Sequence, residues 1–200
     1  MKKIIFGLVN SFNSFINKIE LKRHKVKYSK SVTIRGKLLI QGKGKITIGE
    51  NTRIKSGIKY NPIGGDGVSI LVTKSPGRIE IGNNVGISNA TLVAHEQIVI
   101  EDEVLIGGSV KIYDTDFHSL NYQERMSGYS GTKTAPVRIE KGAFIGAHSI
   151  ILKGVTIGKY SIIGAGSVVT KSVPPYEVWA GNPAHYIKSV PGSDSENKYD

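Results

Sequence analysis

The stretch from residue 137 to residue 169 reads VRIEKGAFIGAHSIILKGVTIGKYSIIGAGSVV and has an aliphatic residue at every sixth position. These residues are Ile139, Ile145, Ile151, Ile157, Ile163 and Val169. A small or β-branched residue follows each of them four positions later, and glycine directly follows three of them. A fixed short period of this kind is typical of a solenoid, in which each repeat stacks on the one before it.

The same six-residue register occurs earlier in the chain. It includes Ile48 and Ile54, then Ile81, Ile87 and Val93, and then Ile100, Ile106 and Ile112. Six residues are too few for a helical repeat, but three short strands can form one triangular turn of roughly 18 residues. Aliphatic residues one turn apart would stack inside the prism, about 4.8 Å from each other, with parallel pairing between turns. The sequence therefore predicts an all-β fold, a parallel β-helix of hexapeptide repeats.

Three breaks interrupt the register. The step from Val93 to Ile100 is one residue too long, which indicates a bulge. Two longer steps, of 27 residues each, span residues 54–81 and 112–139. Within the second step, residues 114–136 are polar and lack the repeat, so we expect a loop that protrudes from the prism. Functional residues are often found in a long loop on a rigid scaffold.

Residues 1–30 precede the repeats, and their pattern predicts an amphipathic helix followed by a basic segment. Apolar residues recur at helical spacing, at Ile4, Ile5, Leu8, Phe12, Phe15, Ile16 and Ile19. We favour packing of this helix against its own domain or a neighbouring subunit, because a bulky apolar stripe is usually buried. The alternative is a helix lying on an anionic membrane. Residues 31–190 form the predicted β-helix domain, and residues 191–200 a flexible tail.

The composition limits the compartment and the partners. The chain has no cysteine, which excludes disulfides, thiolate metal sites and a cysteine nucleophile. A formal net charge of +11 favours an anionic partner. No apolar run approaches the roughly 20 residues of a membrane span, and no signal-peptide cleavage site follows the first residues. We therefore expect a cytoplasmic protein, at the inner face of the membrane if the helix binds lipid.

Among five histidines, His118 is the strongest candidate for catalysis. It ends the segment YDTDFH at the root of the expected loop. Histidine changes charge near neutral pH, and a neighbouring carboxylate can orient its ring and stabilise the imidazolium. Asp114 and Asp116 are candidates for that role or for binding substrate hydroxyls. The spacing alone is a weak signal, because a histidine beside aspartates is commonly a surface residue.

The repeats occur together with further motifs near the end of the chain. These motifs are GAGSVVTK at residues 164–171, VPP at 173–175 and AGNPA at 180–184. With the segment DTDFH, they make the chain resemble the hexapeptide acyltransferases, above all bacterial sugar O-acetyltransferases that act on galactosides, maltose, capsule or O-antigen sugars. The resemblance covers about residues 80–190 and implies a left-handed β-helix, the known exception to right-handed parallel crossovers.

The resemblance implies a homotrimer with active sites between neighbouring subunits and no metal. His118 would deprotonate the acceptor hydroxyl, which then attacks the thioester of acetyl-CoA. A backbone N–H near Gly146 and Ala147 would stabilise the oxyanion. Since the chain has no cysteine, direct transfer in a ternary complex is the simple alternative to an acyl-enzyme route.

The resemblance also suggests residues for the acceptor and for coenzyme A. Asn89 matches an asparagine that contacts the acceptor sugar, although a structural corner asparagine would fit equally well. An acidic pair that follows this asparagine in those enzymes is replaced by Ala94 and His95, which leaves the acceptor undefined. The implied coenzyme A contacts are Phe144, Gly146, Ala147, Lys153, Ala165, Thr170, Lys171, His185 and Lys188. The lysines suit the phosphate groups of the cofactor.

Zinc catalysis, nucleic-acid binding, acetylation of other small molecules and a non-catalytic scaffold are the alternatives to sugar acetylation. A zinc enzyme of the same fold needs three converging histidines, and His95, His118 and His148 lack ligand spacing. Nucleic-acid binding is suggested only by charge, without aromatic platforms or a recognition helix. An antibiotic or other small-molecule acetyltransferase and a non-catalytic scaffold stay as alternatives. We favour O-acetylation of a surface-glycan precursor, because the basic N-terminal segment would suit a lipid-linked acceptor.

Overall fold

The computed structural model describes residues 2–128 and 131–191, with side chains from residue 9 onward. Residues 192–200, which include most of the expected tail, lie outside the described residues. The described part of the chain begins with helix α1 (Lys2–Arg23) and continues through twenty strands, β1 to β20 in chain order. From β1 to β18, each strand pairs in parallel with the strand three later, so the described chain winds through three sheets in turn. β19 then pairs in parallel with β17, and β20 pairs antiparallel with β19.

Each sheet forms one side of a prism. The first sheet contains β1 (Lys27–Tyr28), β4 (Lys45–Ile48), β7 (Arg78–Ile81), β10 (Gln97–Ile100), β13 (Val137–Ile139) and β16 (Thr156–Ile157). The second contains β2 (Thr33–Arg35), β5 (Arg53–Lys55), β8 (Gly86–Ser88), β11 (Leu105–Ile106), β14 (Phe144–Ile145), β17 (Ile162–Ile163), β19 (Glu177–Gly181) and β20 (Ala184–Ser189). The third contains β3 (Leu38–Gly42), β6 (Ser69–Thr73), β9 (Thr91–Ala94), β12 (Lys111–Tyr113), β15 (Ile150–Ile151) and β18 (Val168–Val169). In each coil the chain turns from one sheet to the next at the three edges of the prism. These edges are called the first–second, second–third and third–first corners.

The core is a stack of the aliphatic residues that the six-residue period identifies. In the second sheet, Ile87, Ile106 and Ile145 pair in register, and all three are at most 3% exposed. The small residues four positions later are buried as well, including Ser149 and Ser161 at 0% exposure. Valine occupies the same position at Val104 and Val155 and is equally buried, so the interior has room there for small or β-branched side chains, which explains the second half of the repeat.

The register break around Val93 takes a different form from the one that the sequence suggested, because a short step to Leu92 precedes a long step from Leu92 to Ile100. Ile112 pairs with Leu92, and Leu92 is fully buried, while Val93 pairs with Tyr113. The aliphatic column therefore steps by five residues from Ile87 to Leu92 instead of by six to Val93. The assignment of Val93 to the column was wrong, because two adjacent aliphatic residues fit the pattern equally well on sequence grounds.

The corners need backbone in the left-handed region. At the first–second corner, Asn51, Asn84 and Glu103 have φ values of 54°, 56° and 63°. At the second–third corner, Asn89 and His148 have φ values of 47° and 61°. Asparagine and glycine tolerate this conformation better than other residues, which accounts for their frequency in the turns.

Helix α1 covers the open N-terminal end of the prism, and two of its described side chains, Asn17 and Leu21, are buried there. Leu21 is 3% exposed and belongs to the core. Asn17, also 3% exposed, donates from Nδ2 to the Gly36 carbonyl at 2.8 Å and accepts from the Leu38 N–H at 3.0 Å. The apolar stripe packs differently from our expectation, since Phe12 and Phe15 are 65% and 62% exposed. The polar Asn17, not the aromatic stripe, fixes the helix to the first turn.

Two excursions leave the prism. The first, residues 57–68, connects β5 to β6 and contains a 3₁₀ turn at Pro62–Gly64; it is called the strap below. The second connects β12 to β13 and contains the short helix α2 (Tyr122–Met126). The second excursion is closed at its base by an antiparallel bridge between Thr115 and Thr134 and by a 3.0 Å bond from the Ala135 N–H to the Asp114 carbonyl. No helix in the described part of the chain is long and apolar enough to cross a membrane.

Candidate active site

His118 lies at the third–first corner, where the second excursion begins. Its ring is exposed to solvent, and its backbone N–H donates to the Asp116 carbonyl at 2.7 Å. Phe117, directly before it, has a φ of 62° and therefore makes a tight left-handed turn. This turn directs the chain out of β12 and fixes the start of the excursion at the rim of the prism.

An aromatic cluster holds this turn in place. The Phe117 ring makes edge-to-face contacts with Tyr113, at 5.1 Å between centroids, and with His95, at 6.2 Å. Edge-to-face pairs of this kind favour one ring orientation. The cluster therefore joins the His118 segment to the preceding coil of the prism and rigidifies it.

Burial changes the acid–base behaviour of two members of the cluster. Partial burial lowers the pKa of His95 below its ordinary value, and Lys74 lowers it further, while the Asp114 carboxylate acts in the opposite direction. Burial raises the pKa of the Tyr113 phenol. Both rings are therefore held in their neutral forms near pH 7, and the sequence had indicated His95 only as a residue that departs from the sugar-enzyme pattern.

Asp114 has a role that differs from the one expected from the sequence. Its side chain is 0% exposed, and its carboxylate accepts three backbone hydrogen bonds. They come from the N–H groups of His95 at 2.7 Å, Glu96 at 2.7 Å and Gln97 at 2.8 Å. The carboxylate thus fixes the turn before β10, and it faces the backbone of the neighbouring coil instead of the His118 ring or a substrate.

Asp116 is directed toward a cation. Its Oδ1 lies 2.7 Å from the Lys153 Nζ, and both side chains are partly buried. Within residues 9–128 and 131–191, no hydrogen bond joins the Asp116 carboxylate to the His118 ring. From the sequence, Lys153 was expected to contact coenzyme A phosphates and Asp116 to orient His118 or bind the acceptor. The structure places these two side chains next to each other, at the same corner as His118.

The side-chain amide of Asn89 likewise makes hydrogen bonds that stabilise the fold. It is 1% exposed, its Oδ1 accepts from the Gly57 N–H at 2.6 Å, and its Nδ2 donates to the Asn61 carbonyl at 3.1 Å. Both partners belong to the strap. In this chain Asn89 acts as the corner asparagine that had been the alternative to a sugar contact, and no polar atom of its amide is left facing the surface.

The strap continues along the second–third corner across later coils. The Ser109 hydroxyl donates to the Gly64 carbonyl at 2.5 Å, and the His148 Nε2 lies 3.1 Å from the Ile63 carbonyl oxygen. Gly108 has no room for a side chain, because a Cβ there would lie 2.6 Å from the Gly64 nitrogen. The repeat pattern gave no signal for this contact, which spans 85 positions in sequence.

The expected coenzyme A residues divide between two corners of the prism. Lys153, Thr170 and Lys171 follow strands of the third sheet and lie at the third–first corner with His118. Gly146, Ala147 and Ala165 follow strands of the second sheet and lie at the second–third corner. A single chain therefore does not bring the two sets together.

The backbone at Gly146 is less available than its expected oxyanion role requires. Its N–H donates to the Ile163 carbonyl at 2.8 Å as part of the ladder between coils. The position must be glycine, because a Cβ would lie 2.5 Å from the Ala165 nitrogen. The N–H of Ala147 has no hydrogen-bond partner among the residues that the structure describes, so Ala147 is the better donor of the two.

The outer face of the second sheet carries a groove of about 340 Å³. Phe144 and Leu105, which are 42% and 54% exposed, form its apolar wall, and Arg53 and Lys55 form its basic wall. Gly86 lies between them and leaves space, because a Cβ there would come within 2.9 Å of the Leu105 side chain. The sequence indicated Phe144 but missed Arg53 and Lys55, which precede the part of the chain that the family resemblance covers well.

His185 and Lys188 lie on β20, which pairs antiparallel with β19 at the C-terminal end of the second sheet. Both side chains are exposed, and the His185 Nδ1 lies 3.4 Å from the Pro183 carbonyl oxygen. This hairpin continues the same sheet that carries Phe144. Among the described residues, no three histidine, aspartate or glutamate side chains come together as a metal site.

Comparison of the sequence with known proteins gives a consistent result. Residues 136–171 match the family described as bacterial transferase hexapeptide (six repeats). The chain is 39% identical over 129 residues to SAV2555 of Staphylococcus aureus strain Mu50, which carries the name of an acetyltransferase; the match covers 62% of this chain and 63% of that protein. It is 40% identical over 119 residues to galactoside O-acetyltransferase of Escherichia coli K12, covering 58% of this chain and 56% of the relative. The chain thus spans less than two thirds of these curated relatives.

Solved structures extend the similarity over most of the chain. A single-residue mutant of AntD, an N-acyltransferase from Bacillus cereus in complex with dTDP-4-amino-4,6-dideoxyglucose and coenzyme A, is 28% identical with a TM-score of 0.69; the match covers 90% of this chain and 93% of AntD. VCA0836 of Vibrio cholerae, a hexapeptide-repeat acetyltransferase with bound acetyl-coenzyme A, is 27% identical with a TM-score of 0.55; the match covers 87% and 75% of the two chains. The resemblance to hexapeptide-repeat acyltransferases is therefore confirmed.

Proposed function

We propose that this chain is an acetyl-CoA-dependent O-acetyltransferase that acylates a sugar hydroxyl, with His118 as the general base. The observation that carries the proposal is the place of His118. Its ring is exposed at the base of the second excursion, beside coils that match the bacterial hexapeptide transferases. An exposed imidazole at the rim of a rigid prism can reach an acceptor hydroxyl without any rearrangement of the core.

The proposed reaction is a direct transfer. The His118 imidazole takes the proton of the acceptor hydroxyl as its oxygen bonds to the thioester carbonyl carbon, and the carbonyl oxygen becomes an oxyanion. The intermediate then collapses, the carbon–sulfur bond breaks, and the proton on the imidazolium passes to the departing coenzyme A sulfur. Because the chain has no cysteine, no thiol acyl-enzyme takes part.

The Phe117 cluster would position the base for this reaction. Since Phe117 packs between Tyr113 and His95, the turn that carries His118 has little freedom to swing away. The neutral His95 ring, held so by burial, could hydrogen-bond an acceptor hydroxyl without adding charge. We therefore propose His95 as an acceptor contact, in place of the buried Asn89.

A homotrimer would complete the site. His118 and Lys153 lie at one corner of the prism, while Ala147 and Ala165 lie at another. A site that uses His118 with the Ala147 N–H as oxyanion donor therefore needs two chains, with the third–first corner of one facing the second–third corner of the next. We take the winding of the prism to be left-handed, as in the family.

Coenzyme A would lie between these two corners. The exposed Thr170, Lys171 and Lys188 are suited to its phosphates and adenosine end, because Lys side chains complement phosphate charge. Lys153 can serve there only if the cofactor competes with Asp116, to which it is paired at 2.7 Å. The groove beside Phe144 offers an apolar wall for the pantetheine arm.

We place the acceptor among surface-glycan precursors, made at the cytoplasmic side of the membrane for a capsule or O-antigen. The support is the 40% identity to galactoside O-acetyltransferase together with the basic, amphipathic N-terminal segment. The identity of the sugar and of its hydroxyl is what an acceptor screen would supply.

A second candidate is N-acylation of an amino sugar linked to a nucleotide. The observation that favours it is the similarity to AntD, which covers 90% of the chain, whereas the match to the galactoside enzyme covers 58%. The same base and the same oxyanion donor would serve an amine nucleophile. The two candidates differ only in the acceptor atom.

An acceptor screen tests the proposal. We expect the purified chain to release free coenzyme A from acetyl-CoA in the presence of a glycoside, a nucleotide sugar or a polyprenyl-linked sugar, with a product that hydroxylamine deacylates as an ester. A product resistant to hydroxylamine and formed only from amino sugars would favour N-acylation. No acceptor-dependent release across all three classes would overturn the enzyme proposal and favour a scaffold.

A further inference from the structure

Helix α1 presents two opposite faces. Asn17 and Leu21, one turn apart, contact the prism and are 3% exposed. Residues two positions apart on an α-helix are separated by about 200°, so Phe15 and Ile19 point away from the prism. Their exposures of 62% and 45%, with 65% for Phe12, agree with this geometry. These three side chains are named here the outward stripe.

Positive charge surrounds the outward stripe. Lys18, Lys22 and Arg23 lie in the same part of the helix, and Glu20 is the one acidic residue in the sequence of α1. The Glu20 carboxylate lies 3.5 Å from the side chains of Arg23 and His24, so it is already engaged near the helix end. A bulky apolar stripe with flanking lysines and no free carboxylate is typical of a helix that lies in a membrane interface.

The charge of the whole chain is concentrated at this end. Residues 1–59, which hold α1, the first coil and the first two strands of the second coil, contain 15 Lys and Arg but two acidic residues. Residues 60–200 contain 12 Lys and Arg and 14 acidic residues. The N-terminal part therefore has a formal charge of +13 and the remainder −2, so the prism is strongly polarised along its length.

This polarity decides between two ways of covering the outward stripe. A second copy of the chain packed stripe to stripe would bring two ends of charge +13 together, which is unfavourable at physiological salt. An anionic lipid surface offers apolar volume for the aromatic rings and negative charge for the lysines at once. The charge complementarity fits lipid and opposes the packing of two outward stripes against each other.

We propose that α1 docks this protein on an anionic membrane surface, with Phe12, Phe15 and Ile19 inserted among the lipids and the first coils facing the headgroups. The N-terminal end of the prism then lies at the membrane, and the later coils project away from it. His118 belongs to the fourth coil, so a docked prism holds it a few coils above the headgroups, toward a lipid-linked acceptor. The docking surface itself does not depend on acetyl transfer and stands whatever the acceptor is.

Vesicle flotation of the full-length protein tests this proposal. We expect the protein to float with vesicles of phosphatidylcholine and phosphatidylglycerol and to stay at the bottom with phosphatidylcholine alone. The triple variant Phe12→Ser, Phe15→Ser, Ile19→Ser should bind at least about tenfold more weakly, because it removes the inserted side chains and spares Asn17 and Leu21. Variant Ile58→Ser, Ile63→Ser is the matched control, since both residues are exposed apolar side chains outside α1; it should float like the wild type.

Three further measurements separate the outcomes. Raising the salt concentration should weaken flotation of the wild type, because screening reduces the attraction of the lysines for lipid. Equal flotation of the wild type and the triple variant, or no flotation of the wild type, would overturn the proposal. So would a triple variant of lower oligomeric mass in lipid-free solution, since this would show that the outward stripe is a subunit interface. Thermal melting of both variants establishes that they are folded.

Discussion

Asp114 and Asp116 are two residues apart and lie in very different environments. Asp114 is fully buried and accepts three backbone N–H groups, while Asp116 pairs with Lys153 near the surface. On sequence grounds both were candidates to orient His118. The difference could not be predicted, because it depends on which coil each side chain faces. The hexapeptide register stops at the second excursion, so the sequence does not give this information for the two aspartates.

Replacing Asp114 by Asn should destabilise the fold. The amide has one acceptor oxygen where the carboxylate has two, so at least one buried N–H loses its partner at a cost of about 1–3 kcal/mol. For a chain of this size we expect a fall in melting temperature of about 2–10 °C. Asp116→Asn removes only a partly exposed ion pair and should cost at most about 1 kcal/mol. Equal melting temperatures of the two variants would contradict the structural role of Asp114.

His95 should make the protein less stable in mild acid. Burial lowers its pKa in the folded state, so below about pH 6.5 the unfolded chain binds a proton more readily than the folded chain. Acidification through that range therefore favours unfolding. The His95→Gln variant lacks this proton and should lose less melting temperature between pH 7.5 and pH 5.5 than the wild type. A larger loss in the variant would contradict the lowered pKa.

The strap is the element that the sequence left least defined. Its 27-residue interval signalled an excursion, but the repeat pattern gave no information about where the excursion packs. In the structure it lies along the second–third corner, held by Asn89, Ser109 and His148. The hexapeptide period predicts the strands and the core well, because they follow from burial alone. It does not predict contacts made by residues outside the period.

Removing the Asn89 side chain should loosen the strap. Asn89→Gly keeps the left-handed backbone, since glycine adopts positive φ readily, but loses both hydrogen bonds to the strap. Asn84→Gly is a matched control, because Asn84 has a φ of 56° and its side chain makes no hydrogen bond within the described residues. We expect faster amide hydrogen exchange at Gly57 and Gly64 in the Asn89 variant only. Equal exchange in both variants would show that the strap is held by other contacts.

At the scale of the whole molecule, the division of the candidate site between two corners carries the argument for a trimer. His118 lies at one corner and Ala165 at another, so His118→Gln and Ala165→Trp should each inactivate the enzyme by a different route. Mixed trimers place an intact His118 from one chain against an intact Ala165 corner from the next. Random mixing of equal amounts should restore about a quarter of the sites. No recovery after verified subunit exchange would place the whole site within one chain.

The account as a whole is tested most directly by the steady-state rate of acetyl transfer in the His118→Gln variant, measured with the acceptor that the screen identifies. Glutamine keeps a polar side chain of similar size at an exposed position, so the melting temperature should stay that of the wild type. A general base contributes about 10²–10⁴-fold, and we expect kcat to fall by that factor with little change in the KM for acetyl-CoA. A folded variant that keeps the wild-type kcat would contradict the central claim that His118 performs the chemistry.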